Sequence, residues 1–154
     1  MTEPSTSVQI RRLRVGDRDL AQRLFAVMAE VFEEPSERLS DSYVDALLGR
    51  EVFWAIAALS GDEVVGGLTA HTLPMTRTES AEVFIYDVAV RPEYQRQGIG
   101  RQLVTVLLAA ATTSGLGDVF VAADSTDGHA LDFYRALGGV PAPVTIFTFS
   151  DGPP

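Results

Sequence analysis

The sequence predicts an α/β chain folded as one domain, residues 1–154, and three observations lead there. Short strand-length apolar runs alternate with longer runs in which apolar residues recur at helical spacing. A glycine-punctuated turn joins an apolar strand over residues 83–90 to a helical run that opens at Gly98. The 154 residues are enough for a sizeable core without covalent staples, and too few to demand a second domain.

The elements follow in order. Residues 8–13 read as a first strand, an exposed one because it carries Arg11 and Arg12. Asp17 is placed to cap a helix whose Leu20, Leu24, Val27, Met28 and Val31 share one face. Pro35 ends that helix, since proline disfavours helical backbone in the residue before it. The stretch 33–41 then sets the carboxylates Glu33, Glu34, Glu37 and Asp41 against Arg38. A shorter helix over 42–48 closes at Gly49. Residues 52–59 and 64–73, around Ser60-Gly61-Asp62, read as a β-hairpin. After the strand at 83–90 and the helix at 98–114 come a strand at 119–123 and a helix at 128–137, stopped by Gly138-Gly139. Val144-Thr145-Ile146-Phe147-Thr148-Phe149 completes the order as a last strand, and residues 150–154 form a loose tail.

Composition removes several classes of function. The absence of cysteine excludes disulfides, thiolate metal sites and cysteine nucleophiles, and His71 and His129 alone cannot build a zinc site. Both histidines read as surface or packing residues, and Trp54 beside Phe53 as core. No apolar run approaches the ~18 residues of a membrane helix. Residues 1–7 lack the apolar centre of a signal peptide, so a cytoplasmic protein with no membrane partner is expected. Net charge is −9, and all 12 basic residues are arginine. That balance argues against nucleic acid and suits a cationic substrate, which a summed negative field concentrates.

Strand, turn and helix start make a site for an anionic phosphate at Gln95-Arg96-Gln97-Gly98-Ile99-Gly100-Arg101. The first amides of the helix lack intrahelical partners, the helix dipole favours negative charge there, and Gly98 and Gly100 allow close approach. Arg96 and Arg101 add positive charge. The spacing is neither the dinucleotide fingerprint nor a P-loop. It fits Q-x-x-G-x-G, and the turn resembles the acyl-coenzyme A pyrophosphate loop of the GNAT superfamily of N-acetyltransferases. Downstream, Ala130-Leu131-Asp132-Phe133-Tyr134-Arg135-Ala136-Leu137-Gly138 is similar to that superfamily's late helix. The resemblance implies a GNAT fold, a mixed and mostly antiparallel central sheet flanked by helices. It also implies acetyl-coenzyme A as cofactor, Val88, Ala89 and Val90 against the pantetheine arm, and Tyr134 beside the sulfur. Asp127 and Ala130 fall where the superfamily contacts the coenzyme, although Asp127 stands where asparagine is common.

Ile85-Tyr86-Asp87-Val88-Ala89-Val90, with Gln95 to Ile99 after it, is similar to one branch, the GNAT-type aminoglycoside 3-N-acetyltransferases. Phe53, Ala55-Ile56-Ala57-Ala58, Val64-Val65-Gly66, Leu73-Pro74 and Ala123-Asp124 extend the likeness. Thr148 departs from it, where the branch has an acidic residue. The branch implies an aminoglycoside as substrate, antibiotic resistance as outcome, and Asp87 in the antibiotic site. A homodimer is a further expectation.

The chemistry centres on Asp87, a carboxylate inside an apolar strand, where an unpaired charge is expensive. It is either paired and inert or turned into a cleft, where it binds an ammonium group and accepts its proton. The amide of Val88 is a candidate oxyanion donor. Tyr134 is a candidate proton donor to the departing thiolate. Glu33, Tyr86, Asp124 and Asp127 are candidate acceptor-binding residues beside Asp87. Asp124, Asp127 and Asp132 lack the alternating ligands of a calcium loop, so no metal is expected, whereas helix capping by Asp124 and Asp127 is. Acetylation of a polyamine or peptide amine, and non-catalytic acyl-coenzyme A binding, stand as alternatives.

Overall fold

The computed structural model describes residues 7–152; the first six residues and the last two of the tail lie outside it. Two compact units, Met1–Ala122 and Ala123–Pro154, are taken in turn.

The first unit is built on a five-stranded sheet in the order β1-β2-β3-β4-β5. Its strands are β1 (Val8–Arg12), β2 (Phe53–Ser60), β3 (Glu63–Pro74), β4 (Ala81–Val90) and β5 (Val119–Val121). The first three pairings are antiparallel and β4 pairs with β5 in parallel, so the sheet is mixed. The β2–β3 hairpin turns at Gly61, whose φ of +61° is left-handed backbone that glycine adopts without a Cβ clash.

Helix α1 (Arg18–Val31) and helix α2 (Asp41–Leu48) cover one face of this sheet. Leu24, Val27 and Met28 of α1 and Val44 and Leu48 of α2 form one core with Phe53, Ala55, Ala57 and Ala89. Gly67 belongs under α1, because a Cβ there would collide with the Leu24 methyls and stand 2.8 Å from the Ile56 carbonyl oxygen. Helix α3 (Ile99–Thr113) buries Ile99, Leu103 and Leu107 outside that core. Ile56, Leu68 and Val83, one residue out of phase with the α1-facing side chains, are fully buried with them. Trp54 is buried as expected, its Nε1 donating to Thr72 Oγ1 at 2.8 Å under the guanidinium of Arg12. Burial against that ring lowers the pKa of Arg12.

Asp17 stands at the N-cap of α1 but does not cap it. Its carboxylate accepts the Arg14 amide at 2.8 Å and pairs with the Arg11 guanidinium, a charge-assisted contact that outweighs a neutral cap. Ser40 caps α2 through Tyr43 N at 3.2 Å.

The second unit carries helix α4 (Gly128–Ala136). Asp127 caps it by accepting Ala130 N at 3.1 Å, whereas Asp124 does not cap. Asp124 instead closes an Asx turn, accepting the amide and hydroxyl of Thr126 at 2.8 and 2.7 Å, which lower its pKa. The strand expected over residues 144–149 is absent: no ladder pairs this segment among the described residues. Val144, Ile146, Phe147 and Phe149 are 70–81% exposed. Branched and aromatic residues favour a strand only where a neighbour supplies backbone partners and cover, so the pattern alone overcalled it.

Candidate active site

The α1 face of the sheet is graded in rungs, because residues paired across antiparallel strands share a face. The innermost rung is Ala57, Gly67 and Ala89, under Leu24. The next is Ala55, Thr69 and Asp87, the first two buried and the carboxylate partly so. The third is Phe53, His71 and Phe84, continued by Phe120 on β5.

A β-bulge sets Asp87 in this series. Thr69 pairs with Asp87 and Ala70 with Ile85, leaving Tyr86 as the extra residue on β4. Simple alternation would put Asp87 on the same face as Val83 and Ile85, which are buried on the α3 side. The bulge shifts the phase by one, so Phe84 before it and Asp87 and Ala89 after it share the α1 face. Tyr86 lies 63% exposed, its ring 5.9 Å from His71 and 6.1 Å from Phe84. His71 is thus a half-buried member of an aromatic cluster, also 5.5 Å from Phe53.

Among the described residues no hydrogen bond and no cation engages the Asp87 carboxylate. Partial burial pushes its pKa up, and the negative charge of Glu34 adds to the effect. Glu33, the glutamate expected to matter, takes the left-handed turn that ends α1, with φ 55°, while its neighbour Glu34 supplies the field at Asp87.

Further along β4 the sheet opens. The β4–β5 ladder consists of Val83–Val119, Phe84–Phe120 and Ile85–Val121, so residues 86–90 have no strand partner on that outer side among the described residues. A 3-10 turn at Pro92–Tyr94 leads into the loop before α3. Gln95 Nε2 donates to the Val90 carbonyl at 2.9 Å and Gln97 Nε2 to the Glu93 carbonyl at 3.4 Å, which ties the loop to the strand end. Arg96 (φ 64°) and Gly98 (φ 81°) are both left-handed and coil the backbone around the start of α3. No side chain caps α3, no acidic residue sits in its first turn, and a Cβ on Gly98 would meet nothing within 4 Å. Among the described residues Arg96 and Arg101 are exposed and pair with no carboxylate. An uncapped helix start between two unpaired arginines fits a pyrophosphate.

Asp124, Asp127, Ala130 and Tyr134 belong to the second unit. Tyr134 packs its ring against Phe133 at 5.0 Å, and its carbonyl accepts Gly139 N at 2.9 Å.

Comparison with known proteins agrees with this geometry. Residues 18–138 match the model of the acetyltransferase (GNAT) family, and the chain belongs to that family. GNAT acetyltransferases use acetyl-coenzyme A, so that is its cofactor. An aminoglycoside acetyltransferase, meta-AAC0020 from an uncultured soil metagenomic sample, was solved in complex with trehalose. It is 34% identical with a TM-score of 0.90, covering 96% of this chain and 99% of that one. The same protein in complex with sisomicin is 33% identical with a TM-score of 0.89, covering 93% and 95%. The thialysine N-epsilon-acetyltransferase of Bos taurus is 27% identical over 85% of this chain and 83% of its own. The GCN5-related N-acetyltransferase 2 of Arabidopsis thaliana is 42% identical over 42% of this chain, a match spanning only a quarter (25%) of that plant protein. No helix among the described residues is long and apolar enough to cross a membrane.

Proposed function

We propose that this acetyltransferase moves an acetyl group to a primary amine of an aminoglycoside, at the 3-amino position, and so confers resistance from the cytoplasm. Residues 1–154 act in this reading as one acetyltransferase domain. The observation that carries it is Asp87, a partly buried carboxylate without a cation among the described residues, turned by a bulge to the α1 face of the sheet. Likeness over nearly the whole chain to a protein solved with sisomicin supports the drug class. The run Ile85 to Val90 supports the regiochemistry. The exposed apolar residues of segment 144–149 support a homodimer, since such surface is normally covered.

Acetyl-coenzyme A supplies a thioester carbon for an amine to attack. The chain's own residues do the rest. An ammonium group has no free electron pair, so Asp87 binds it and takes its proton, directly or through water. The Val88 amide donates a hydrogen bond to the acyl oxygen, and Val88, Ala89 and Val90 pair with the pantetheine arm. The helix start from Gln95 to Arg101 holds the pyrophosphate, and Asp127 and Ala130 add contacts from α4. Tyr134 holds a proton for the departing sulfur. Glu33, Tyr86, Asp124 and Asp127 offer polar contacts to the acceptor.

A thiol-release assay with acetyl-coenzyme A against sisomicin, spermidine and an N-terminal peptide tests the reading. Turnover of sisomicin well above the other two is expected. Preference for spermidine would instead favour a small linear amine, which likeness to the bovine enzyme supports.

A further inference from the structure

The aromatic rung has no part in the mechanism above, and most of it is not needed to seal the core. Phe53, His71, Phe84 and Phe120 stand in register on β2, β3, β4 and β5, one ring per strand. At the inner end Phe53 is buried, its ring 6.4 Å from Phe25 of α1. At the outer end Phe84 and Phe120 stack at 5.0 Å, with their planes 27° apart, and Phe120 remains 43% exposed. The bulge adds Tyr86 against both His71 and Phe84. Tyr86 and Phe120, both exposed, together with Phe84 stacked on Phe120, form a shelf that begins one rung from Asp87.

We infer that Tyr86, Phe84 and Phe120 form a stacking shelf for the flat face of a saturated ring in the acceptor, and thereby select ring-borne amines over linear ones. This inference rests on the aminoglycoside reading and names what selects for it. A saturated ring offers a broad C–H face that an aromatic surface buries, while its ammonium groups need anionic partners. Both are present: the shelf supplies the first, and Asp87 with Glu34, neither paired with a cation among the described residues, supplies the second. A linear polyamine satisfies the carboxylates equally well but covers little of the shelf.

The test is the ratio of kcat/KM for sisomicin to that for spermidine. In Tyr86→Ala and in Phe120→Ala this ratio should fall about tenfold, through KM for sisomicin, the size of one lost ring contact. Tyr86→Phe keeps the ring and loses only the hydroxyl, so its ratio should fall less than that of Tyr86→Ala. Tyr86 is largely exposed, so that pair of variants reports on binding even if Phe120→Ala folds poorly. If the wild type acetylates sisomicin but the ratio stays put in Tyr86→Ala, the shelf is wrong and the substrate reading stands. If the wild type acetylates spermidine and not sisomicin, both fail together.

Discussion

Asp87 is a carboxylate held partly out of water with no cation on it among the described residues, and its behaviour with pH follows from that. Its pKa is raised in the folded chain, first by desolvation and then by Glu34. A base must be ionised to act, so the acid limb of kcat/KM should lie above the pH at which an ordinary aspartate titrates. Glu34→Gln should move that limb down only part of the way, because burial is the larger cause. A limb that does not move in Glu34→Gln would remove the coupling. Asp87→Asn should lose most of kcat/KM while calorimetry shows coenzyme affinity nearly intact. Stability should move the other way. A raised folded pKa means stability that is complete below the unfolded pKa and declines as pH rises through the folded one. Asp87→Asn should therefore melt above wild type near neutral pH, by a margin that closes as pH falls into the carboxylate range. Tyr134 is the second residue of consequence. Tyr134→Phe should lower kcat by roughly a hundredfold, at the low end of general acid–base work, and leave coenzyme binding little changed. Wild-type kcat in that variant would leave Tyr134 a packing residue.

At the scale of the element, the start of α3 is the feature most exposed to a single change. Its amides are uncapped, its first turn carries no acid, and Gly98 holds a left-handed φ of 81°. Gly100→Asp places both bulk and negative charge where the pyrophosphate is to lie. Coenzyme A binding measured by calorimetry should then weaken by about an order of magnitude or more, since one charge of the wrong sign at a helix start costs on that scale. Far-ultraviolet circular dichroism should report an unchanged fold. Unaltered affinity in a folded variant would remove the phosphate assignment from this turn.

The whole molecule is strongly acidic, at −9, yet its two loop arginines at the helix start pair with no carboxylate among the described residues. In the proposed reading the net field draws a polycationic acceptor, while the local arginines draw the anionic coenzyme. Raising ionic strength should therefore raise KM for sisomicin, because exposed charges are screened beyond ~8 Å at physiological salt. Steady-state kinetics between low and high salt would show it. A KM for sisomicin that ignores salt would confine its recognition to short-range contacts.

Local rules settled much of this protein before any packing was considered. The spacing of Leu24, Val27 and Met28, the breaks at Pro35 and Gly61, and the run from Gln95 to Arg101 are contiguous signals, and each element formed within a few residues of where they placed it. The strand, left-handed glycine turn and uncapped helix start proposed to hold the pyrophosphate were legible for the same reason: they are neighbours along the chain. The face that Asp87 occupies was not. Alternation alone turns it toward α3, and only the pairing of β3 with β4, which skips Tyr86, turns it toward α1. That Glu34, the neighbour of the Glu33 singled out from the sequence, acts on Asp87 emerged only from the fold. The aromatic rung was equally hidden, because Phe53, His71, Phe84 and Phe120 come from four strands and meet only through register. Residues 144–149 have the pattern of a strand and form none, since a strand needs a partner its own sequence cannot supply. Sequence by itself determined what is local, the elements and the glycine-bearing turn into α3. Tertiary structure decided what depends on register, the facing of Asp87 and the surface around it, because a one-residue shift in pairing reverses every side chain beyond it.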